Sequence, residues 1–283
     1  MGWISFAISA VFLNSLSTIL QKNHASKKIN HTVITGSLYS MVSGAVVLIF
    51  AYITAQGAIV YTSKSLVLTL IALSIFVIGN WAYFRAMYIL NASVLTIVMT
   101  LRALITTVIA WIFLNEGAHT NQYVGMALIL TAILISQNIK KLKLNIEGVI
   151  FAVVAAFAFG IGNVFERIIV KEMNLYLYLV PAYLVPAVIV FLVQQWRLNG
   201  RPIRLSKITA GHVVFVGFIS ALSGILGLQS LALAPSSGHY AFVNQTRVIF
   251  VAVMAYFFLH EKGDIKRRLF AAFLSALGLL LLS

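Results

Sequence analysis

Seven stretches of this chain carry no lysine, arginine, aspartate or glutamate: residues 1–21, 29–63, 65–84, 117–139, 148–165, 173–196 and 208–246. An α-helix needs about 20 mostly apolar residues to cross the hydrocarbon core of a bilayer, and nearly all of these runs reach that length. Water has no place for so much apolar surface. Of 283 residues, 61% are hydrophobic and 9% charged, against roughly 25% charged in an ordinary soluble domain. In lipid every backbone N–H and C=O must be bonded within the protein, which leaves helices or a closed barrel. The runs are too long and too evenly apolar for the alternating pattern of barrel strands, so helices are the reading.

The longest regions break at turn residues, "LNAS" at 90–93 and "APSSGH" at 234–239. This gives ten spans, roughly 3–21, 32–54, 65–89, 93–114, 119–138, 148–170, 174–195, 209–233, 238–259 and 267–283. No connection exceeds about a dozen residues, which leaves no room for a soluble catalytic or binding domain. The N-terminus lacks the basic region and small-residue site of a cleavable signal. With no cysteine in the chain, disulfides, iron–sulfur clusters and thiolate metal sites are excluded. No metal-ligand spacing, paired carboxylates or Ser/His/Asp arrangement falls at one depth, so no catalytic residue, metal or cofactor is expected.

A net charge of +14 raises nucleic acid as a partner, but the positions of the charges argue otherwise. Alternate loops on one side hold Lys22, Lys27, Lys28, Lys140, Lys141, Lys143, Arg197, Arg201, Arg204, Lys207, Lys262, Lys266, Arg267 and Arg268; the other side has little beyond Lys64 and Lys171. Basic short loops stay in the cytoplasm and meet anionic lipid headgroups there. Both termini are therefore expected outside, in the plasma (inner) membrane of a prokaryotic cell.

A shift of 145 residues aligns the two halves: Arg102 falls on Arg247, Glu116 on Glu261, Gly79 on Gly224, Thr18 on Asn163 and Gln21 on Glu166. Two charged matches at one shift carry more weight than any number of apolar ones. The halves are 1–138 and 148–283, joined by a basic cytoplasmic linker, 139–147. Each holds five spans, and an odd number makes the second copy enter the membrane in the opposite sense. The expected fold is thus all-α and integral to the membrane, with ten transmembrane helices as two inverted five-helix repeats. Transporters use such repeats to build two gates around one central site.

The stretch "FRAMYILNASVLTIVMTLRALITTVIAWIFLNE", followed by "YVGMALILTAILI", and its second copy "LQSLALAPSSGHYAFVNQTRVIFVAVMAYFFLHE" resemble the drug/metabolite transporter superfamily, in its ten-helix, EamA-type branch. The resemblance covers the whole chain as two EamA-like halves. The family often has glycine before the terminal glutamate, where Asn115 and His260 stand here, and a proline where this chain has Ala103 and Val248. The resemblance implies alternating access, a cavity lined by helices one to four and six to nine, and peripheral helices five and ten. It favours export. Members move amino acids, nucleotide sugars, phosphorylated sugars, choline-like cations and drugs.

Arg102 and Arg247 sit near mid-depth, where an arginine costs about 2.5 to 3.5 kcal/mol, so each should face a cavity or a partner. Tyr240, Asn244 and Arg247 share one helix face; Leu95, Met99, Arg102 and Thr106 form the matching stripe. Two readings stand for the arginines: anchors for a carboxylate or phosphate, or structural bonds to carbonyls or to Glu166. Glu166 itself lies beside Arg167 and one turn from Lys171. An interfacial ion pair is the expectation for it, with proton coupling the alternative if it faces the cavity. His239 is a second proton-coupling candidate, set against a simple helix-start role. Asn14, Thr18, Asn80, Trp81, Asn163 and Gln229 complete the expected substrate contacts. Arg85 shares a face with Trp81 and is read as snorkelling. Glu116 and Glu261 are read as fold determinants at helix ends, and Pro181 and Pro186 as a kink or hinge.

The functional expectation is an alternating-access exporter of a small anionic or zwitterionic metabolite such as an amino acid, with protons as a further partner. The alternative is a proton-coupled exporter of organic cations or drugs, using Glu166 with Trp81, Trp111 and Tyr240 as a cation–π surface. A lipid scramblase or a structural membrane protein is the alternative of another class, and neither explains the repeat.

Overall fold

A computed structural model describes residues 2–25, 29–54, 63–115, 120–136, 145–198, 207–259 and 265–281. These form α1 (Trp3–Asn23), α2 (Ile29–Thr54), α3 (Ser63–Ile89), α4 (Ala92–Val98), α5 (Leu101–Leu114), α6 (Thr120–Ser136), α7 (Ile146–Glu172), α8 (Leu175–Arg197), α9 (Lys207–Leu233), α10 (Ser237–Gln245), α11 (Arg247–Phe258) and α12 (Ile265–Leu280). No strand occurs among the described residues. Among the described residues eight helical segments are long and apolar enough to cross a membrane, counting α4 with α5 and α10 with α11 as single crossings. The remaining two, α6 and α12, have 17 and 16 residues and pack on each other. Glu116 and Glu261 lie outside the described residues, as do most of the basic loops.

Helix starts follow local side-chain chemistry. Asn145 accepts from the Gly148 N–H at 3.3 Å, Asn174 from Tyr176 at 2.9 Å and Ser236 from His239 at 3.1 Å, each satisfying a first-turn donor that the helix leaves free. At the other end of α5, Asn115 adopts a left-handed conformation, φ 52°. Asparagine is one of the few residues that tolerates it, which explains how it stands where the resembled family has glycine.

The spans expected at 93–114 and 238–259 are not continuous. One is interrupted at Met99–Thr100 and the other at Thr246. Arg102 and Ala103 donate back only three residues, to Met99 and Thr100 (3.1 and 3.0 Å); Thr246 and Ile249 do the same, to Val243 and Thr246 (3.1 and 3.0 Å). Each interruption is a tight 3₁₀-type turn within two residues before an arginine. By contrast, α8 runs through Pro181 and Pro186 without interruption.

The packing repeats itself when the halves are exchanged. Shifting by 145 residues turns α1 into α7, α3 into α9 and α5 into α11. Correspondingly α3 packs on α7 and α1 on α9, α5 on α7 and α11 on α1, α5 on α10 and α11 on α4, while α2 meets its own equivalent α8. With lipid outside, no hydrophobic force drives helices together, so small and hydroxyl-bearing residues do. Ser17 and Ser220 hydroxyls meet at 2.6 Å, Ser223 donates to the Ala10 carbonyl at 2.9 Å, and Ser43 to Gly217 at 2.9 Å. Glycine permits the closest approaches: a Cβ at Gly162 would meet the Phe76 ring, and one at Gly224 the Tyr183 hydroxyl.

Two cations that are equivalent under the same shift close the ends of equivalent helices. Lys22 donates to the Met87 carbonyl at 2.7 Å, at the end of α3. Arg167 donates to the carbonyls of Leu231, Ala234 (2.7 Å) and Pro235 (3.1 Å), at the end of α9. Helix C-termini expose unbonded carbonyls and the negative end of the dipole, so a buried cation is the natural partner. The sequence places Lys22 among loop charges; the structure makes it a cap.

Candidate functional site

A cavity of about 190 Å³ lies where α1, α2, α3, α5, α7, α8, α9 and α10 converge. Its polar lining comes from Asn14, Ser40, Asn80, Arg102, Glu166, Tyr183, Ser223, Tyr240 and Asn244, and its apolar lining includes Phe76, Phe159, Leu179 and Leu228. Gly224 and Gly227 open one wall, since they present no side chain there. The volume is small beside the roughly 300–1,000 Å³ of drug-sized sites, which suits a solute of a few heavy atoms.

Arg102 is the cation of this cavity. Its Nη2 donates to Asn163 Oδ1, and its Cζ lies 5.5 Å from the centre of the Phe159 ring. Asn163 is fully buried and points its amide nitrogen at Thr106 Oγ1, 3.4 Å away; the Thr106 hydroxyl donates to the Gly160 carbonyl at 3.0 Å. That chain of bonds fixes the guanidinium without neutralising it. Arg102 Nε is buried without a protein partner among the described residues, and the side chain lines the cavity with a planar fork suited to an anion.

Glu166 is the anion of the cavity. It departs from the interfacial ion pair expected of it, because neighbouring residues on a helix do not face each other. Arg167 turns to the α9 carbonyls, whereas Glu166 lines the cavity and accepts from the Tyr178 hydroxyl at 3.3 Å. The exposed ion pair at this end of α7 is instead Lys64–Glu172, at 2.6 Å.

Of the other expected contacts, Asn14, Asn80, Tyr240 and Asn244 line the cavity, and Asn163 stands behind Arg102. Thr18 does not line it; its hydroxyl donates to the Asn14 carbonyl at 2.9 Å. Trp81 does not line the cavity; it packs edge-on to Phe151 and beneath Arg85, whose Cζ is 4.8 Å from the Trp81 ring centre. Gln229 is exposed and does not line the cavity. His239 shares a 2.6 Å contact with the Ser236 hydroxyl at the start of α10, the helix-start role. Arg247 does not reach the main cavity. The chain turns at Thr246, directly before it. Arg247 donates to the Tyr83 hydroxyl at 3.3 Å and lines a second cavity of about 20 Å³ with Thr96, Met99, Arg102, Asn244 and Gln245.

Ser40, Tyr183, Ser223, Phe76 and Phe159 were not anticipated. Tyr183 carries the one available signal, a polar aromatic between Pro181 and Pro186; its hydroxyl donates to the Ser220 carbonyl at 3.0 Å. Among the described residues no group of three or more His, Asp or Glu side chains is placed to hold a metal ion.

The sequence matches the profile of the EamA-like transporter family over residues 1–137 and again over 146–283. No curated protein matches it. A solved structure described simply as "Crystal structure of protein" superposes with a TM-score of 0.72 over 97% of this chain and 98% of its own, at 12% sequence identity. At that identity the likeness concerns the fold.

Proposed function

The chain belongs to the EamA-like transporter family, and from that membership we propose that it is an alternating-access exporter of a small zwitterionic metabolite of the amino-acid type. The observation that carries this reading is that one arginine and one glutamate, Arg102 and Glu166, line the same small cavity. A zwitterion satisfies both: its carboxylate takes the guanidinium fork and its ammonium takes the Glu166 carboxylate. Such charge-assisted bonds are stronger than neutral ones and, inside a membrane, replace water that neither group could otherwise keep. A pure anion would leave Glu166 opposed, and a pure cation would leave Arg102 opposed. Phe76, Leu179 and Leu228 suit a short apolar side chain.

Alternating access rests on two inverted repeats of five crossings each, in the plasma membrane with both termini outside. The exchange symmetry of the packing supports that architecture. The two 3₁₀ turns supply paired points at which equivalent crossings can bend, one beside each arginine.

Glu166 inside the cavity, with Phe76, Phe159, Tyr183 and Tyr240 around it, also favours a second reading, export of an organic cation held by carboxylate and ring faces. Melting curves of the purified protein separate the two. A small neutral amino acid, its decarboxylated amine, its deaminated acid and a quaternary amine are compared on wild type, Arg102→Gln and Glu166→Gln. The zwitterion alone should stabilise wild type, by about 2.7 kcal/mol at a hundredfold excess over Kd, and each variant should lose the effect. Stabilisation by the amines that survives Arg102→Gln and vanishes in Glu166→Gln would establish the cation reading instead.

A further inference from the structure

Among the described residues the two cavities are lined by three charged side chains, Arg102, Arg247 and Glu166. They sum to one positive charge, and the zwitterion of the reading above, on which this step of the balance rests, adds none. Arg247 carries the imbalance. Among the described residues its hydrogen-bond partner is the neutral Tyr83 hydroxyl, and its Nε is buried without a partner. An unbalanced guanidinium at mid-depth is costly, and Arg102 on the same small cavity adds repulsion in a medium that screens poorly.

The lining of that cavity is rich in donors. Asn244 Nδ2 and Gln245 Nε2 each give one N–H, to the Tyr240 hydroxyl at 3.4 Å and the Ala241 carbonyl at 3.3 Å, and each amide nitrogen keeps a second. The Thr96 hydroxyl gives its one proton to the Ala92 carbonyl at 2.7 Å, so the donors left are those of the amides and the guanidinium groups. Among the described residues no carboxylate lines the site. Its volume of about 20 Å³ exceeds the roughly 10–15 Å³ that one water-sized species needs and excludes a carboxylate-bearing metabolite. We propose that this is a halide site, in which one chloride-sized anion bridges Arg102 and Arg247. The site lies where α4 and α5 cross α10 and α11, so its occupant ties the two broken crossings together and offsets the charge of Arg247, while Arg102 also lines the main cavity.

The test uses the full-length purified protein without any amino acid, in potassium chloride and in potassium gluconate at equal ionic strength. Chloride should raise the melting temperature saturably, and Arg247→Gln should weaken the apparent chloride affinity about tenfold or more. Identical melting in the two salts, or a chloride effect unchanged in Arg247→Gln, overturns the site. Because Arg247→Gln can also disturb folding, bromide-soaked crystals of the wild type give a second readout. An anomalous peak between Arg102 and Arg247 is expected, and its absence at saturating bromide overturns the proposal. The amino-acid screen, run in both salts, fails or succeeds independently of these outcomes.

Discussion

Arg102 is useful because its restraints are neutral. Asn163 and the Phe159 ring hold the guanidinium, and neither cancels its charge. Asn163→Asp keeps the geometry and adds a carboxylate, so it should abolish amino-acid stabilisation while the protein still folds. Asn163→Ala leaves the guanidinium unanchored and should weaken apparent affinity about tenfold, the scale of one lost charge-assisted bond; a melting-temperature titration reads both. If Asn163→Asp bound the zwitterion as wild type does, Arg102 would not be its carboxylate partner. At this scale the sequence is readable where polarity contrasts with its surroundings. Asn14, Asn80, Tyr240, Asn244 and Arg102 stand out from apolar helices and do line the cavity. The same contrast misleads for Thr18, Trp81 and Gln229, because a polar side chain can turn to its own backbone, a cation or the exterior. Phe76, Phe159 and Leu179 have no contrast to show, being apolar residues in apolar runs.

Helices announce their lengths in sequence more clearly than their interruptions. The 3₁₀ turns before Arg102 and Arg247 contain neither proline nor glycine, so hydropathy reads straight through them. The two prolines of α8, read as a kink or hinge, stand inside a helix that stays continuous. The end of α5 is a better-marked case. Asn115 has a positive φ that β-branched residues adopt only with strain, and it is exposed, so little else depends on its side chain. Asn115→Val should lower stability by about 1–2 kcal/mol relative to Asn115→Gly, read as the difference in unfolding free energy or melting temperature. Equal stabilities would mean that the chain leaves α5 by another path.

The number of crossings is a property of the whole molecule and can be argued by parity. Lys64 at the start of α3 bonds Glu172 at the end of α7, so both points lie on one face of the membrane. The crossings between them are α3, the α4–α5 pair, α6 and α7. Their number is even, as the bond requires, only if α6 crosses. With 17 described residues, α6 rises about 26 Å, close to the roughly 30 Å of the hydrocarbon core. Exchange of the halves extends the argument to α12, the equivalent of α6 and its packing partner. Ten crossings in two inverted sets then place Gly2 and Asn145 on opposite faces, and Leu281 on the same face as Gly2. Eight crossings would place all three together. The chain has no cysteine, so Gly2→Cys, Asn145→Cys and Leu281→Cys each give one thiol in an unlabelled background. With a membrane-impermeant maleimide on intact cells, Gly2→Cys and Leu281→Cys should label at once, and Asn145→Cys only after permeabilisation, the outcome expected if short basic loops stay in the cytoplasm. Labelling of Asn145→Cys alone would keep the inverted repeat and reverse the orientation. Equal labelling of all three would leave α6 and α12 on the surface and remove the inversion on which alternating access rests.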